Sequence, residues 1–374
     1  MLDLCSKLAG AFRVIVLAPH APGAAVQETV EGVEVRRFRY CAERFETLAY
    51  DGGIVPSLKR RPWTWLLVPL FLLAETVAAA RILRRERIAL VHAHWLIPQA
   101  FCAWLAALLA GRRPPLLCTV HGADVYALAG RGMGALRGFL ARRCQALGAV
   151  SDAIGRELVL VGAPEDRVSI LPMGVNEPAP AGNARDAGHI AFAGRLVEKK
   201  GVPVLLRAFA RLRRSRPDAA LTIAGAGPEL EPCRALARAL DLGAAVTFRG
   251  AITQDDVLGL FSRATIAVMP SIVAADGDTE GLGLVALEAM MCGCPVVASN
   301  LPAVATYLRH EDNGILFPAG DDAALATALA RLLENAPLRL RIAAQGRRYA
   351  SERFGWNATA AAYGRWYREA LEPR

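Results

Sequence analysis

The stretch DGDTEGLGLVALEAMMCGCPVVAS, residues 276–299, holds two carboxylates eight positions apart, Glu280 and Glu288, the second inside an otherwise apolar run. A carboxylate is almost never fully buried without a partner, and taking one out of water unpaired costs several kcal/mol. Upstream, GRLVEKKGVPVLLRAFARL sets Arg195 and Lys200 between a strand that ends at Gly194 and a helix that starts near Val202. Pro203 lies in that helix's first turn, where proline is favoured. Helix N-termini attract phosphate through exposed N–H groups and the macrodipole, so the two cations are candidates to cradle a diphosphate. A second helix starting near Leu282 would put Glu280 at its mouth, where a negative charge stabilises it by roughly 0.3–1 kcal/mol. Glu288 has no such explanation. Eight residues of helix span about 12 Å. A nucleotide-sugar carries hydroxyls at both ends, on sugar and ribose, with a diphosphate between them at a comparable distance. The four charged residues together fit such a ligand from end to end.

Other constellations are weaker. GAGPEL, with Gly225 and Gly227, resembles the start of a dinucleotide fingerprint, but the third glycine and the acidic residue of a second strand are missing. That argues against NAD and leaves two uses for the glycines: close approach of backbone to a nucleotide, or to the sheet. Asp276 and Asp278 have a spacing open to a divalent metal, yet the same residues make a turn and a helix start, and no third ligand lies near. No metal is expected. The eight cysteines show no paired framework, and Cys292–Gly293–Cys294 has neither zinc nor thioredoxin spacing. Reduced, buried thiols are expected. His92 and His94 are read as facing opposite sides of a strand, with packed or hydrogen-bonded roles rather than a metal between them.

The elements that must position these residues alternate. Strand candidates RVIVLAP, ALVHAH, LLCTVHG, ALGAVS and VSILPMG in the first half are separated by helical patterns. HIAFAGR, LTIAGAG, AVTFRG, TIAVMPS, PVVASN and GILFPAG follow in the second. This reads as two doubly wound α/β domains: residues 1–175, a Pro/Gly-rich linker at 176–188, and residues 189–353. Residues 354–374 form a helix that either docks on its own domain or crosses back to the first. Ligands of open α/β sheets sit outside the carboxyl ends of the strands, which singles out Trp95, His121, Asp124, Arg195, Gly225, Gly227, Ser271 and the acidic loop with Glu280.

At 374 residues with a net charge of +9, mostly from arginine, the chain suits anionic ligands: phosphorylated small molecules, an anionic membrane surface or nucleic acid. The charge is spread along the chain and no nucleic-acid module is present, so nucleic acid is not expected as a partner. Residues 59–83, KRRPWTWLLVPLFLLAETVAAARIL, hold an apolar core at Trp65–Ala74, about half of the roughly 20 residues needed to span a bilayer. The basic, Trp-bearing flank, Lys59 to Trp65, is of the interfacial kind, which points to a buried amphipathic helix or peripheral membrane contact. The opening MLDLCSKLAGAFRV lacks the marks of a signal peptide, and a cytoplasmic location is expected.

The segments FAGRLVEKKGV, IAGAGPEL, VTFRGAI, MPS, DGDTEGLGLVALEAMMCGCPVVAS and NGILFPAGD resemble the donor domain of family 4 retaining glycosyltransferases of the GT-B fold. LVHAHWLIPQ and TVHGADV match with lower specificity, and the acidic DGDTEG loop is similar to members that build bacterial exopolysaccharides. The resemblance implies two Rossmann-like domains facing across a cleft and transfer from a UDP- or GDP-sugar to a saccharide or lipid-linked acceptor, without a cofactor or bound metal. It implies that Arg195 and Lys200 bind the diphosphate, Glu280 the transferred sugar and Glu288 the ribose. His121 would lie beside the sugar, with Gly194, Gly225, Gly227, Arg249 and the run Gly281, Leu282, Gly283 lining the donor. The family ordinarily opens with a strand and a glycine-rich loop absent here, so the first domain is expected to lack its first strand. After VVAS, where the family shows a diglycine turn and a glutamate, this chain has Pro302, Ala303 and Thr306. Acceptor residues are sought in the first domain, with Arg36, Arg37, Arg39 and residues 59–83 as candidates. A sugar-nucleotide epimerase or phosphorylase, and a protein that binds donor without transfer, are the alternatives.

Overall fold

Short β-branched and apolar runs become parallel strands buried between helices, because only in such sheets are both faces covered. The computed structural model describes residues 1–50, 54–121, 131–178 and 185–372. The chain forms two units. The first is Met1–Ala149, Gly155–Leu171 and Ala360–Arg374; the second is Val150–Ile154 and Pro172–Thr359. Both are α/β, as expected.

In the first unit, β1 (Ile15–Pro19), β2 (Gln27–Val30) and β3 (Val33–Phe38) form a sheet in the order β1-β3-β2. β2 and β3 are a hairpin whose turn residues, Glu31 at φ 50° and Gly32 at φ 79°, have the positive φ values that match strand twist. Sequence patterning missed this hairpin, since its alternation is broken by Arg36 and Arg37. A second sheet is wholly parallel, β4 (Val91–His94), β5 (Leu116–Val120), β6 (Ala146–Ala149) and β7 (Val168–Ile170), in chain order. Among the described residues β1 pairs only with β3 and β4 only with β5, so no ladder joins the two sheets. All five residues of β1 are half-buried, although its apolar run reads as a strand covered on both faces.

The helix Leu67–Arg85 is fixed to this unit by Phe71, whose ring lies edge-on to Phe38 at 5.1 Å and to Tyr40 at 5.2 Å. From Ala360 onward the last helix, Trp356–Leu371, belongs to the first unit. Buried Tyr363 there donates to the Leu171 carbonyl at 3.2 Å.

The second unit is one six-stranded parallel sheet of β8 (His189–Ala193), β9 (Ala220–Ala224), β10 (Val246–Gly250), β11 (Ile266–Met269), β12 (Val296–Ser299) and β13 (Ile315–Phe317). The order is β10-β9-β8-β11-β12-β13. All six coincide with the apolar runs read from the sequence. The chain winds outward from β8 to β10, then returns to the other side of β8. That reversal makes the carboxyl ends of β8 and β11 the switch point where such sheets bind ligands. The helix Val202–Leu212 buries seven side chains, Val202 to Leu212, in the core below it.

Candidate active site

The residues the sequence assigned to the diphosphate and the transferred sugar, apart from His121 and Arg249, lie in the loops leaving β8, β9 and β11, and Glu288 lies on the helix Leu284–Met291 that follows the last of these loops. The loop after β8 runs from Gly194 through a single turn at Glu198–Lys200 to the helix at Val202. The loops on either side grip it tightly. The Gly225 N–H donates to Gly250, and a Cβ on Gly225 would stand 1.8 Å from the Gly194 carbonyl oxygen; one on Gly227 would stand 2.2 Å from that of Leu196. The backbone that these glycines approach in the structure is that of the neighbouring loop. Gly201, at φ 61°, presses on β11's end, where a Cβ would meet the Pro270 carbonyl oxygen at 1.9 Å.

The acidic loop after β11 is sewn to the same turn. The Ile272 N–H donates to the Lys199 carbonyl at 2.8 Å, and Ala275 N–H to Glu198 Oε1 at 3.0 Å. Lys199 Nζ donates to Asp278 Oδ1 at 2.9 Å and to the Thr279 carbonyl at 3.1 Å. Asp276 Oδ1 accepts from the Asp278 N–H at 3.1 Å. These contacts employ the two aspartates as a turn and a lysine partner. Glu198 and Lys199 were missed in the sequence, because their partners Ala275 and Asp278 lie 77 and 79 residues further along the chain.

Lys200 Nζ lies 2.6 Å from Glu280 Oε1, and Ser271 Oγ donates to the same oxygen at 3.1 Å. The Glu280 side chain is only 6% exposed. Burial by itself would raise its pKa, but the Lys200 charge and hydrogen bond, with Lys199 and Ser271, outweigh it and hold the carboxyl below its ordinary value. Glu288 is the contrasting case. Burial raises it, and the Gln254 amide, donating at 2.8 Å, and the Lys200 charge only partly offset the rise. One ammonium thus acts on both carboxylates, and it has three N–H donors of which Glu280 takes one.

The helix between the two carboxylates is shorter than expected. It runs Leu284–Met291, with Gly283 at φ 79° before it, so Glu280 stands outside it and the 12 Å figure for a continuous helix does not apply. Glycines at 281 and 283 keep the chain from entering helix earlier. Leu282 and Gly283 are buried and Gly281 half-buried beneath Glu280. Tyr307, in the segment where the chain departs from the family pattern, donates to the Gly283 carbonyl at 3.4 Å. Arg195 is exposed, and among the described residues its guanidinium has no recorded ion pair. Arg249 is exposed on edge strand β10, where its charge acts on Asp256.

In the first unit His121 follows β5, its Nε2 3.1 Å from His94 Nδ1. The rings of His92 and His94 are 4.3 Å apart, which corrects the opposite-face reading, because residues two apart on a strand share a face. His92 binds Tyr367 OH at 2.6 Å through Nδ1 and Thr119 Oγ1 at 2.8 Å through Nε2. Burial drives His121 down to about 4 and His92 to about 3, with His94 also lowered, so the row is neutral at physiological pH. Trp95, at φ 77°, packs edge-on to His121 at 5.7 Å. Asp124 lies outside the described residues. The acceptor candidates are internally engaged: Arg36 with Glu34 and Glu86, Arg37 with Glu28, and Arg39 with Glu43.

Two family models meet end to end on this chain. One described as Glycosyltransferase Family 4 matches residues 1–177, and one described as Glycosyl transferases group 1 matches residues 177–349. D-inositol 3-phosphate glycosyltransferase of Thermobispora bispora is 35% identical over 238 residues, 58% of this chain and 54% of that protein. The GDP-mannose-dependent alpha-(1-6)-phosphatidylinositol monomannoside mannosyltransferase of Mycobacterium tuberculosis is 31% identical over 211 residues, 53% of this chain and 55% of that protein. The chain spans a little over half the length of these curated relatives. The solved structure of Anabaena HepE in complex with UDP-glucose covers 98% of this chain and 95% of its own, with a TM-score of 0.74 at 18% identity, a likeness of fold alone. From β1 to the helix Ala336–Phe354, therefore, the chain belongs to the family 4 glycosyltransferases of the GT-B fold.

Proposed function

We propose that this protein is a retaining, metal-independent glycosyltransferase that moves a hexose-type sugar from a UDP- or GDP-sugar to a saccharide or lipid-linked acceptor in surface polysaccharide synthesis. The observation that carries the reading is the Lys200 ammonium acting on a buried carboxylate, Glu280, and a half-buried one, Glu288, at the switch point of a parallel sheet. Breaking the glycosyl–phosphate bond throws negative charge onto the departing diphosphate. Lys200, fixed by Glu280 and with donors to spare, is a preorganised cation for that charge, and such groups act most strongly where water is excluded; exposed Arg195, without an ion pair among the described residues, is the second cation. Glu280, held ionised, accepts hydroxyls of the transferred sugar, and Glu288 accepts the ribose hydroxyls. His121, kept neutral, is the first unit's candidate for a hydrogen bond to the sugar. The relatives leave either base open: the mycobacterial enzyme is GDP-mannose-dependent, and HepE is seen in complex with UDP-glucose. The setting would be the cytoplasmic face of a membrane.

A second reading, donor binding without transfer, is favoured by the edges of β1 and β4, which have no strand partner among the described residues. Release of nucleoside diphosphate from UDP-glucose and from GDP-mannose, in the presence of pooled lipid-linked saccharides, separates the two. Transfer predicts acceptor-dependent release with one donor, persistence in EDTA, loss in Lys200→Ala, and a product whose anomeric configuration matches the donor's by NMR. Binding without release would select the second reading. Product formed from donor alone would point instead to an epimerase.

A further inference from the structure

Among the described residues one helical stretch, Pro62–Arg85, is long and apolar enough by length and composition to cross a membrane. It cannot do so here, since Leu67, Phe71, Glu75 and Leu83 are buried in the first unit. Its other face is open. Leu66 is 76% exposed, Leu70 46% and Leu73 62%, and Trp63 and Trp65 stand exposed beside them. Positions 66, 70 and 73 fall on one stripe of a helix, which continues through Arg81 and Arg84. Single exposed leucines need no explanation, but a contiguous apolar stripe does.

We propose that this stripe is a docking face for an anionic lipid bilayer, with the helix lying in the interface plane. The charge around it chooses the partner. Residues 60–85 carry Arg60, Arg61, Arg81, Arg84 and Arg85, all exposed, and a single carboxylate, Glu75, on the buried side. Arg84 also donates to the Leu109 carbonyl of the next helix, Phe101–Ala110, whose end exposes Leu108 and Leu109. Apolar centre, basic ends and a tryptophan pair at one end are the composition that seats in a headgroup layer. A second copy of this face would bring five arginines against five with no carboxylate between them. Anionic lipid headgroups complement the same charge. The proposal names the surface behind the membrane setting of the preceding section, and it stands apart from the donor site, so either can fail alone.

The test is flotation of the full chain with vesicles of phosphatidylcholine and phosphatidylglycerol, against vesicles of phosphatidylcholine alone. The probe variant is Leu66→Gln/Leu70→Gln/Leu73→Gln, checked by thermal unfolding and by nucleotide binding. All three positions face water, so both checks should match wild type. Flotation with the anionic vesicles that falls with added salt, and drops at least about tenfold in the variant, is the expected result. Flotation unchanged in the variant, or absent with both vesicle types, overturns the proposal. So does a dimer, seen by light scattering, that the variant dissolves.

Discussion

Glu280 and Glu288 differ in what burial does to them, and the difference is measurable. In Glu280 the folded carboxyl is depressed, so the folded state gives up its proton more readily than the unfolded chain. The stability this supplies is present above the ordinary carboxyl range and is lost as pH falls through the folded value. Lys200→Met should reverse that dependence, because burial alone raises Glu280. We expect a loss of about 3 kcal/mol at pH 7, shrinking towards pH 4, and largely restored by adding Glu280→Gln, all by urea denaturation. A loss independent of pH would show that the pair is not what holds the loop. Glu288 is raised, so its charged form is kept at the expense of stability, and stability should grow as pH falls through its folded value. Glu288→Gln should therefore raise Tm near neutrality. It should also weaken nucleotide binding by about 1.5–3 kcal/mol, the range for a hydrogen bond to a charged group. A residue retained against stability is a mark of function, and a variant that loses both stability and nothing in binding would remove that mark.

At the scale of elements, the site depends on three loops locked edge to edge by glycines. Gly201→Ala adds a methyl 1.9 Å from the Pro270 carbonyl oxygen at a left-handed φ, whereas Gly243, also left-handed at φ 48°, has nothing within 4 Å of an added Cβ. The backbone term alone is about 1–2 kcal/mol. Thermal unfolding should place Gly243→Ala near that figure and Gly201→Ala well beyond it, with donor binding lost as well. Equal effects would mean that the loops are not closely locked. Apart from the β2–β3 hairpin, the strands and the Val202 helix were legible in the sequence because apolar runs, Pro203 and a following 3.6-residue period are local signals. The Glu280–Glu288 span was misread because glycines at 281 and 283 delay the helix to Leu284, and no capping side chain marks its start. His92 and His94 were read at a strand end but on opposite faces, and their row with His121 was not read at all. His92's partners, Tyr367 by a hydrogen bond and Tyr363 by a ring contact, come from the far end of the chain, a pairing that no local pattern carries. Glu198 and Lys199 were missed for the same reason: their roles exist only once β8 and β11 are neighbours.

For the whole molecule, the two-domain α/β organisation followed from length and from the alternation of strand and helix, while the return of residues 360–374 to the first unit required the structure. The +9 net charge suits a protein whose proposed ligands, a nucleoside diphosphate and an anionic lipid face, are both negative. The central claim is that the β8–β11 switch point binds a nucleoside-diphosphate sugar. Thermal unfolding of the wild type and of Glu288→Ala against UDP, GDP, ADP and their sugars, with and without EDTA, tests it most directly. A ligand at a hundred times its Kd stabilises by about 2.7 kcal/mol, a rise of several degrees. A rise with one base, kept in EDTA and reduced in Glu288→Ala, is the expected result. A folded protein with no rise for any nucleotide, or a rise that Glu288→Ala leaves intact, would contradict the site.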